Sequence, residues 1–293
     1  MGIGHIDADT RLDIFVELTQ ERMRRKVAEI DELLRATSND WNQALIISLF
    51  RVLGGFGNRE AMIHLAETVG HTALARERGS IVSLEALILG SAGLLNILPE
   101  DAYIVRLKQE ATHLFAKYDI TPMQASEWQL NTKYPNNNPI LRLVQIAATL
   151  FGNMITIANV MACRSRRDIY KLFSCNTSRY WIIKISQEIS SKLLSSKPLS
   201  RRLGYSKSDI LGINLVIPFI YAYRHYTSFG DLSVRPSELL MDIPSESNVY
   251  TKLWQSYARI SHSALESQAL IQLSREYCEK GACNRCPIAK YTL

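Results

Sequence analysis

Few features of this sequence suggest secretion or membrane attachment. The N-terminus, Met1 to Asp7, has no basic segment followed by an apolar run and does not resemble a signal peptide. Ile6 stands where an N-myristoylation motif needs Ser or Thr. The chain has 5 Cys, an odd number, whereas a secreted disulfide framework spreads an even number along a short chain. We therefore expect a reduced, cytoplasmic protein.

Long apolar runs are also scarce. The run from Leu143 to Cys163 has 21 residues without a charge, which is long enough to span a bilayer. It nevertheless contains five polar side chains, Gln145, Thr149, Asn153, Thr156 and Asn159. Because polar amides are costly in hydrocarbon and the run has no aromatic belt, we predict a buried helix and no membrane span.

The overall composition is that of an ordinary globular protein. The 293 residues are 47% hydrophobic and 21% charged, which excludes disorder, collagen and a disulfide mini-protein. Lys and Arg number 34 against 28 Asp and Glu, a net charge of +6. This mild excess permits nucleic acid as a partner without requiring it.

Hydrophobic periodicity predicts helices along most of the chain. Apolar residues recur at three- and four-residue steps, capping residues precede several segments, and strand signals are poor. We predict one all-α domain over residues 1–293, a multi-helix globule of roughly ten to thirteen helices without a substantial sheet. Its parts are a first helix at 9–35, a basic helical stretch at 163–207 and a cysteine-containing tail at 278–293. The other predicted helices cover 41–53, 58–69, 80–95, 99–118, 140–161, 168–173, 178–194, 207–226, with a kink at Pro218, 247–259 and 262–278.

The positive charge is concentrated in the basic stretch. Residues 163–207 hold eleven Lys and Arg against Asp168 and Glu188, a net charge of +9. Tyr170, Phe173, Tyr180 and Trp181 are interleaved with these residues and are of the type that stacks on bases. We name as phosphate contacts Arg164, Arg166, Arg167, Lys171, Arg179, Lys184, Arg201 and Arg202. The alternative, and the commoner origin of such a charge run, is a solvated helix surface with its aromatics in the core.

The cysteine spacing of the C-terminal tail is the most specific local pattern. Cys278, Cys283 and Cys286 form a C-x4-C-x2-C motif, and thiolates two residues apart can bind one metal ion from a tight turn. Zinc or an iron–sulfur cluster needs a fourth ligand, for which the candidates are Cys163, Cys175, His225 and His262. The alternative is a set of reduced cysteines that closes a turn without any cofactor, which is the commoner case.

Recognisable catalytic motifs are missing from the sequence. Gly54-Gly55-Phe56-Gly57 has no following Lys-Ser/Thr and no preceding strand, so it is not a phosphate loop. The six His are scattered, and no paired carboxylates or nucleophile–base pair can be recognised. We name no catalytic residue and do not expect this chain alone to be an enzyme.

An amide-rich loop precedes one of the apolar helices. Asn136 to Asn138 offer donors and acceptors, and Arg142 lies one turn into the helix. Arg there is suited to bidentate binding of a carboxylate or phosphate. The alternative is a buried Arg142 that satisfies loop carbonyls, with Trp128 as a cover.

Several short motifs together resemble the bacterial family called domain of unknown function 2851. The similar segments include Glu21-Arg22, Asn39-Asp40-Trp41, Gly55 to Glu60, Leu84-Glu85-Ala86, Gly90 to Leu95, Trp128, Pro135, Asn137, Pro139, Arg142-Leu143, Ser267 to Leu270 and the three C-terminal cysteines. Members of that family are longer, and the resemblance implies a nuclease-like α/β half of the PD-(D/E)xK type before this helical half. On this basis Asn58 and Arg59 join Asn137, Arg142 and Trp128 in one polar site.

The sequence thus supports a non-catalytic helical accessory module that binds nucleic acid. A first alternative is a structural or protein-interaction module that docks the nuclease-like α/β half or self-associates. A second alternative is a zinc or iron–sulfur protein that uses the C-terminal cysteines.

Overall fold

The structure, a computed structural model, describes residues 2–152, 155–188, 198–227, 234–257 and 261–291. Helices account for 75% of it. The α-helices are α1 (Ala8–Ala36), α2 (Trp41–Gly54), α3 (Arg59–Glu77), α4 (Ile81–Ser91), α5 (Ala102–Tyr118), α6 (Pro139–Gly152), α7 (Ile157–Ala162), α8 (Arg166–Phe173), α9 (Arg179–Glu188), α10 (Tyr205–Leu211), α11 (Ile217–Thr227), α12 (Val234–Asp242), α13 (Val249–Tyr257) and α14 (Ala264–Leu273). A π-helical turn, Gly212–Val216, separates α10 from α11, and a second one, Ser274–Cys278, follows α14.

The predicted all-α fold is confirmed. The described ranges contain the helices given above and no strand. The β-type pairing found there is a single isolated bridge between Pro244 and Ser263. Among the described helices, none combines the length and the apolar character that a membrane span requires.

The helices group into two compact units that interleave along the chain. Unit 1 comprises residues 1–36, 161–169 and 212–293, and unit 2 comprises residues 37–160 and 170–211. The organisation of residues 1–293 as one domain stays a prediction.

In unit 1 the first and last long helices pack together. Thr19 of α1 donates a hydrogen bond to the Leu265 carbonyl of α14 at 3.1 Å. Ser263 begins α14 with a capping box in which Glu266 returns the hydrogen bond. The indole of the buried Trp254 donates to the Ser274 hydroxyl at 2.8 Å, which fixes α13 against the end of α14.

In unit 2 the core is built around α4. Its buried residues lie on all sides, as expected of a helix surrounded by protein, and it packs against α3, α5 and α6. Close packing explains two glycines here, Gly90 in α4 and Gly93 just after its end. A Cβ on Gly90 would lie 2.7 Å from the Cβ of Ala111, and one on Gly93 would lie 2.3 Å from the Met123 carbonyl oxygen. Gly93 also has a positive φ of 71°, which favours glycine.

The structure differs from the predicted helix boundaries in three places. The helix predicted over 140–161 is wrong, because α6 ends at Gly152 and α7 begins at Ile157. Gly70, with φ 72° and ψ 149°, breaks α3 where the predicted helix 58–69 ends, and a further helical segment follows it. No helix was predicted over α12, which lies between the predicted helices 207–226 and 247–259. The end of the helix predicted over 178–194 lies outside the described residues.

Candidate nucleic-acid interface

Arg142 is a buried cation near the start of α6. The Asn138 side chain accepts a hydrogen bond from the Leu141 amide at 3.3 Å in the first turn of the helix. Arg142 is 5% exposed; its Nη1 donates to Gln145 Oε1 at 2.8 Å and its Nη2 to Asn137 Oδ1 at 3.2 Å. Its Nε is buried and has no hydrogen-bond partner among the described residues. Arg142 is thus buried, as the alternative interpretation expects, and the oxygens that it contacts belong to the side-chain amides of Gln145 and the loop residue Asn137.

Two amides fix the segment 198–202 beside α6. Gln145 Nε2 donates to the Ser200 carbonyl at 2.9 Å and to the Arg202 carbonyl at 3.3 Å. Asn136 donates to the Pro198 carbonyl at 3.0 Å and accepts from the Ser200 amide at 2.9 Å. These bonds determine where the backbone presents Arg201 and Arg202.

The side chains of Arg201 and Arg202 are exposed and only partly engaged. Arg201 Nε donates to the Thr177 carbonyl and Arg202 Nε to Asn176 Oδ1, each at 2.7 Å. The Thr177 amide returns a hydrogen bond to the Arg201 carbonyl at 2.9 Å. The terminal nitrogens of both guanidinium groups make no hydrogen bond within the described part of the chain, so they can donate to an external acceptor.

Lys207 of α10 brings a further positive charge to Arg142. Lys207 is half-buried, and its pKa is lowered to about 8, first by burial and then by the positive charge of Arg142. Burial likewise lowers the pKa of Arg142 to about 10. We call Arg142, Lys207, Arg201 and Arg202 the Arg142 cluster. Across the described ranges, none of the four forms an ion pair with a carboxylate.

Lys184 does not suit the role predicted for it. It is 7% exposed, and its Nζ lies 2.7 Å from Asp101 Oδ2. Tyr180 donates to the same carboxylate at 2.9 Å. Because a buried cation with its own counter-ion gains little from a phosphate group, Lys184 is removed from the predicted contacts. The hydrogen bonds from Lys184, Ile104 and Tyr180 hold the pKa of Asp101 down at about 2.

The aromatic residues of the basic stretch are largely occupied by the fold. Phe173 and Trp181 are buried, and the Tyr170 hydroxyl donates to Asp209 at 2.8 Å. Tyr205, which the sequence did not single out, is 73% exposed, and its ring lies 4.9 Å from that of Tyr170. Tyr205 is therefore an accessible ring, and it stands two residues before Lys207 in the sequence.

The other predicted phosphate contacts fall in two places. Lys171 and Arg179 are exposed in unit 2, whereas Arg164, Arg166 and Arg167 belong to unit 1. In unit 1 the carboxylate of Asp168 accepts from the backbone amides of Arg164 and Ser165, each at 3.1 Å. Lys192 and Lys197, counted in the charge of the stretch, lie outside the described residues.

The remaining residues of the predicted polar site have structural partners. Trp128 Nε1 donates to the Ala92 carbonyl at 2.8 Å. Asn58 donates to the Gln129 carbonyl at 3.0 Å and accepts from its amide at 2.8 Å. Arg59 is exposed, with its Nε 4.0 Å from Glu60. Within the described ranges no hydrogen bond joins Trp128, Asn58 or Arg59 to Arg142, which retains only Asn137 from the predicted site.

The C-terminal cysteines are reduced. Cys278 and Cys283 are exposed and Cys286 is partly buried. Burial raises the pKa of Cys278, and the negative charges of Cys286 and Cys283 raise it further. In the part of the chain that the structure describes, no group of three or more His, Cys, Asp or Glu is arranged to hold a metal ion. Metal binding by these cysteines stays a prediction.

Comparison with known proteins places most of the chain in one family model. The model described as "Protein of unknown function (DUF2851)" matches residues 2–249 of the 293. The match includes the whole Arg142 cluster and ends before the C-terminal cysteines. No curated protein and no solved structure matches the chain.

Proposed function

This chain belongs to the DUF2851 family of proteins of unknown function, and we propose that it binds nucleic acid through phosphate contacts of the Arg142 cluster. The observation that supports this is that the four cationic residues of the Arg142 cluster form no ion pair with a carboxylate among the described residues. Cations arranged in this way attract phosphates and release the counter-ions condensed on them.

The exposed part of the cluster, Arg201 and Arg202, is suited to binding the phosphate backbone of a nucleic acid. Arg201 and Arg202 are exposed on a segment that Asn136 and Gln145 fix by backbone hydrogen bonds. A fixed backbone reduces the conformational entropy that binding would cost. Arg guanidinium groups also match the geometry of phosphate oxygens.

The exposed ring of Tyr205 favours unpaired bases as part of the ligand. Base–aromatic stacking is tolerant of sequence and contributes about 1–3 kcal/mol per base. We therefore propose a preference for single-stranded over double-stranded nucleic acid, with no sequence specificity. In this role the chain is a non-catalytic accessory module, and a nuclease-like α/β partner is part of the same proposal.

The test is a titration of labelled single- and double-stranded DNA and RNA at several salt concentrations. We expect the logarithm of the association constant to fall linearly with the logarithm of salt concentration, because each neutralised phosphate releases counter-ions. Arg201→Ala/Arg202→Ala should weaken binding and reduce the magnitude of the slope by about 1–2.

The matched control is Arg76→Ala/Arg78→Ala. Both of these arginines are exposed in unit 2, so this variant changes the net charge equally without altering the cluster. Equal losses of affinity in the two variants would mean that total charge matters and the cluster does not. Absence of binding by the native chain at low salt would exclude the proposal and favour a protein-interaction module.

A further inference from the structure

We propose that Arg142, Lys207 and Asn137 form a binding site for a single phosphate monoester dianion, such as the terminal phosphate of a nucleic acid strand or free inorganic phosphate. The proposal rests on the proposed function for the identity of its ligand. It concerns the buried part of the cluster, whereas Arg201 and Arg202 contact the polymer backbone.

The first argument is electrostatic. Arg142 is buried and Lys207 is half-buried, the charge of Arg142 acts on Lys207, and within the described residues neither forms an ion pair with a carboxylate. Burying one unpaired charge is already unfavourable, and a second charge of the same sign adds repulsion. An anion of two negative charges would neutralise both, whereas a phosphodiester, with one charge, would neutralise only half.

The second argument is the state of the donors. Gln145 and Asn137 accept from the two terminal nitrogens of Arg142, which fixes the plane of the guanidinium. The buried Nε remains without a partner among the described residues, although a buried donor is normally satisfied. Three donors are therefore offered, Arg142 Nε, the Lys207 ammonium and the Asn137 amide nitrogen.

The third argument is access from solvent. Asn137 is exposed and Lys207 is half-buried, so an oxyanion can reach both without passing through the core. The buried Arg142 is hydrogen-bonded to the exposed Asn137 at 3.2 Å. A site that combines a buried guanidinium with donors near the surface is typical of specific anion recognition.

The experiment uses the full chain and two probes. The first is inorganic phosphate, added at a series of concentrations while thermal unfolding is followed, with sodium chloride as the control at equal ionic strength. We expect phosphate to raise the unfolding midpoint beyond the chloride control, because a ligand of the native state stabilises it. Lys207→Met and Asn137→Ala should each lose most of this shift.

The second probe is a pair of single-stranded oligonucleotides that differ only in a 5′-phosphate or a 5′-hydroxyl. The native chain should bind the phosphorylated strand about tenfold more tightly, the difference of one charge-assisted interaction. Lys207→Met should bind both strands equally. If only free phosphate acts on the native chain and the two oligonucleotides bind alike, free phosphate is the ligand and the terminal phosphate is excluded.

The outcomes separate this inference from the proposed function. Arg201→Ala/Arg202→Ala should lose affinity for both oligonucleotides but keep the thermal shift by inorganic phosphate. Binding of oligonucleotides without any phosphate-specific shift would overturn the dianion site and leave the proposed function intact. A phosphate shift that persists unchanged in both Lys207→Met and Asn137→Ala would also overturn it.

Discussion

Replacement of Lys207 by Met should make the protein more stable and its phosphate binding weaker. The pKa of Lys207 is lowered from its ordinary value of 10.5 to about 8 by burial and by the charge of Arg142. A lowered pKa means that the folded state disfavours the protonated ammonium relative to the unfolded state. At about 1.36 kcal/mol per pKa unit, the difference corresponds to about 3 kcal/mol, which partial solvent exposure reduces. We expect Lys207→Met to raise the free energy of unfolding at pH 7 by about 1–3 kcal/mol.

The pH dependence gives this prediction a second test. Below pH 8 Lys207 is protonated in both states, and the penalty is present in full. Between pH 8 and 10.5 the folded state binds fewer protons than the unfolded state, so its stability rises with pH as the penalty disappears. The advantage of Lys207→Met should therefore be largest near pH 7 and vanish near pH 10.5.

The assay is urea unfolding of both proteins at pH 7 and pH 10 in a buffer without phosphate. Other groups that titrate in this range are common to the two proteins and cancel in the difference between them. A variant that is less stable than the native chain at pH 7 would refute the assignment of Lys207 as an uncompensated, half-buried cation. An advantage that does not decrease by pH 10 would refute it as well.

Three further substitutions test other parts of unit 2. Lys184→Met should lower the free energy of unfolding by about 1–3 kcal/mol, because it leaves Asp101 without its cation. The same variant should not change the salt dependence of nucleic acid binding. A smaller slope of the logarithm of the association constant against the logarithm of salt concentration would mean that Lys184 does contact phosphate. Gly93→Ala should destabilise the protein by more than about 3 kcal/mol, since the added Cβ would lie 2.3 Å from a carbonyl oxygen at a residue of positive φ. The control Gly79→Ala places its Cβ in open space and should change stability by less than about 1 kcal/mol. Equal thermal midpoints of the two variants would contradict the packing argument. Trp128→Phe removes an indole hydrogen bond of 2.8 Å to a buried carbonyl and should cost about 1–3 kcal/mol by urea unfolding, with unchanged phosphate binding.

Much of the helical fold was predictable from local signals. Ser80 and Asp101, for example, cap α4 and α5 through hydrogen bonds to residues within three positions, so the sequence alone contains both partners. The break between α6 and α7 was not predictable in this way. Residues 140–161 are apolar enough for one continuous helix, although α6 ends at Gly152 and α7 begins at Ile157.

Only part of the candidate site could be predicted from the sequence. Arg142 stood out because it is a charge in an otherwise apolar helix. Gln145 was counted as a polar interruption of the apolar run, because its carbonyl partners lie more than fifty residues later. The ion pair of Lys184 was hidden for the same physical reason, since its counter-ion Asp101 is distant in sequence.

Gln145 links the buried Arg142 to the backbone that holds Arg201 and Arg202. Its oxygen accepts from Arg142 while its nitrogen supports the carbonyls of Ser200 and Arg202. An amide cannot rotate to improve one of these bonds without weakening the other. Under the proposals made above, a dianion that draws the guanidinium toward itself would therefore pull on the same amide that holds the backbone before and at Arg202.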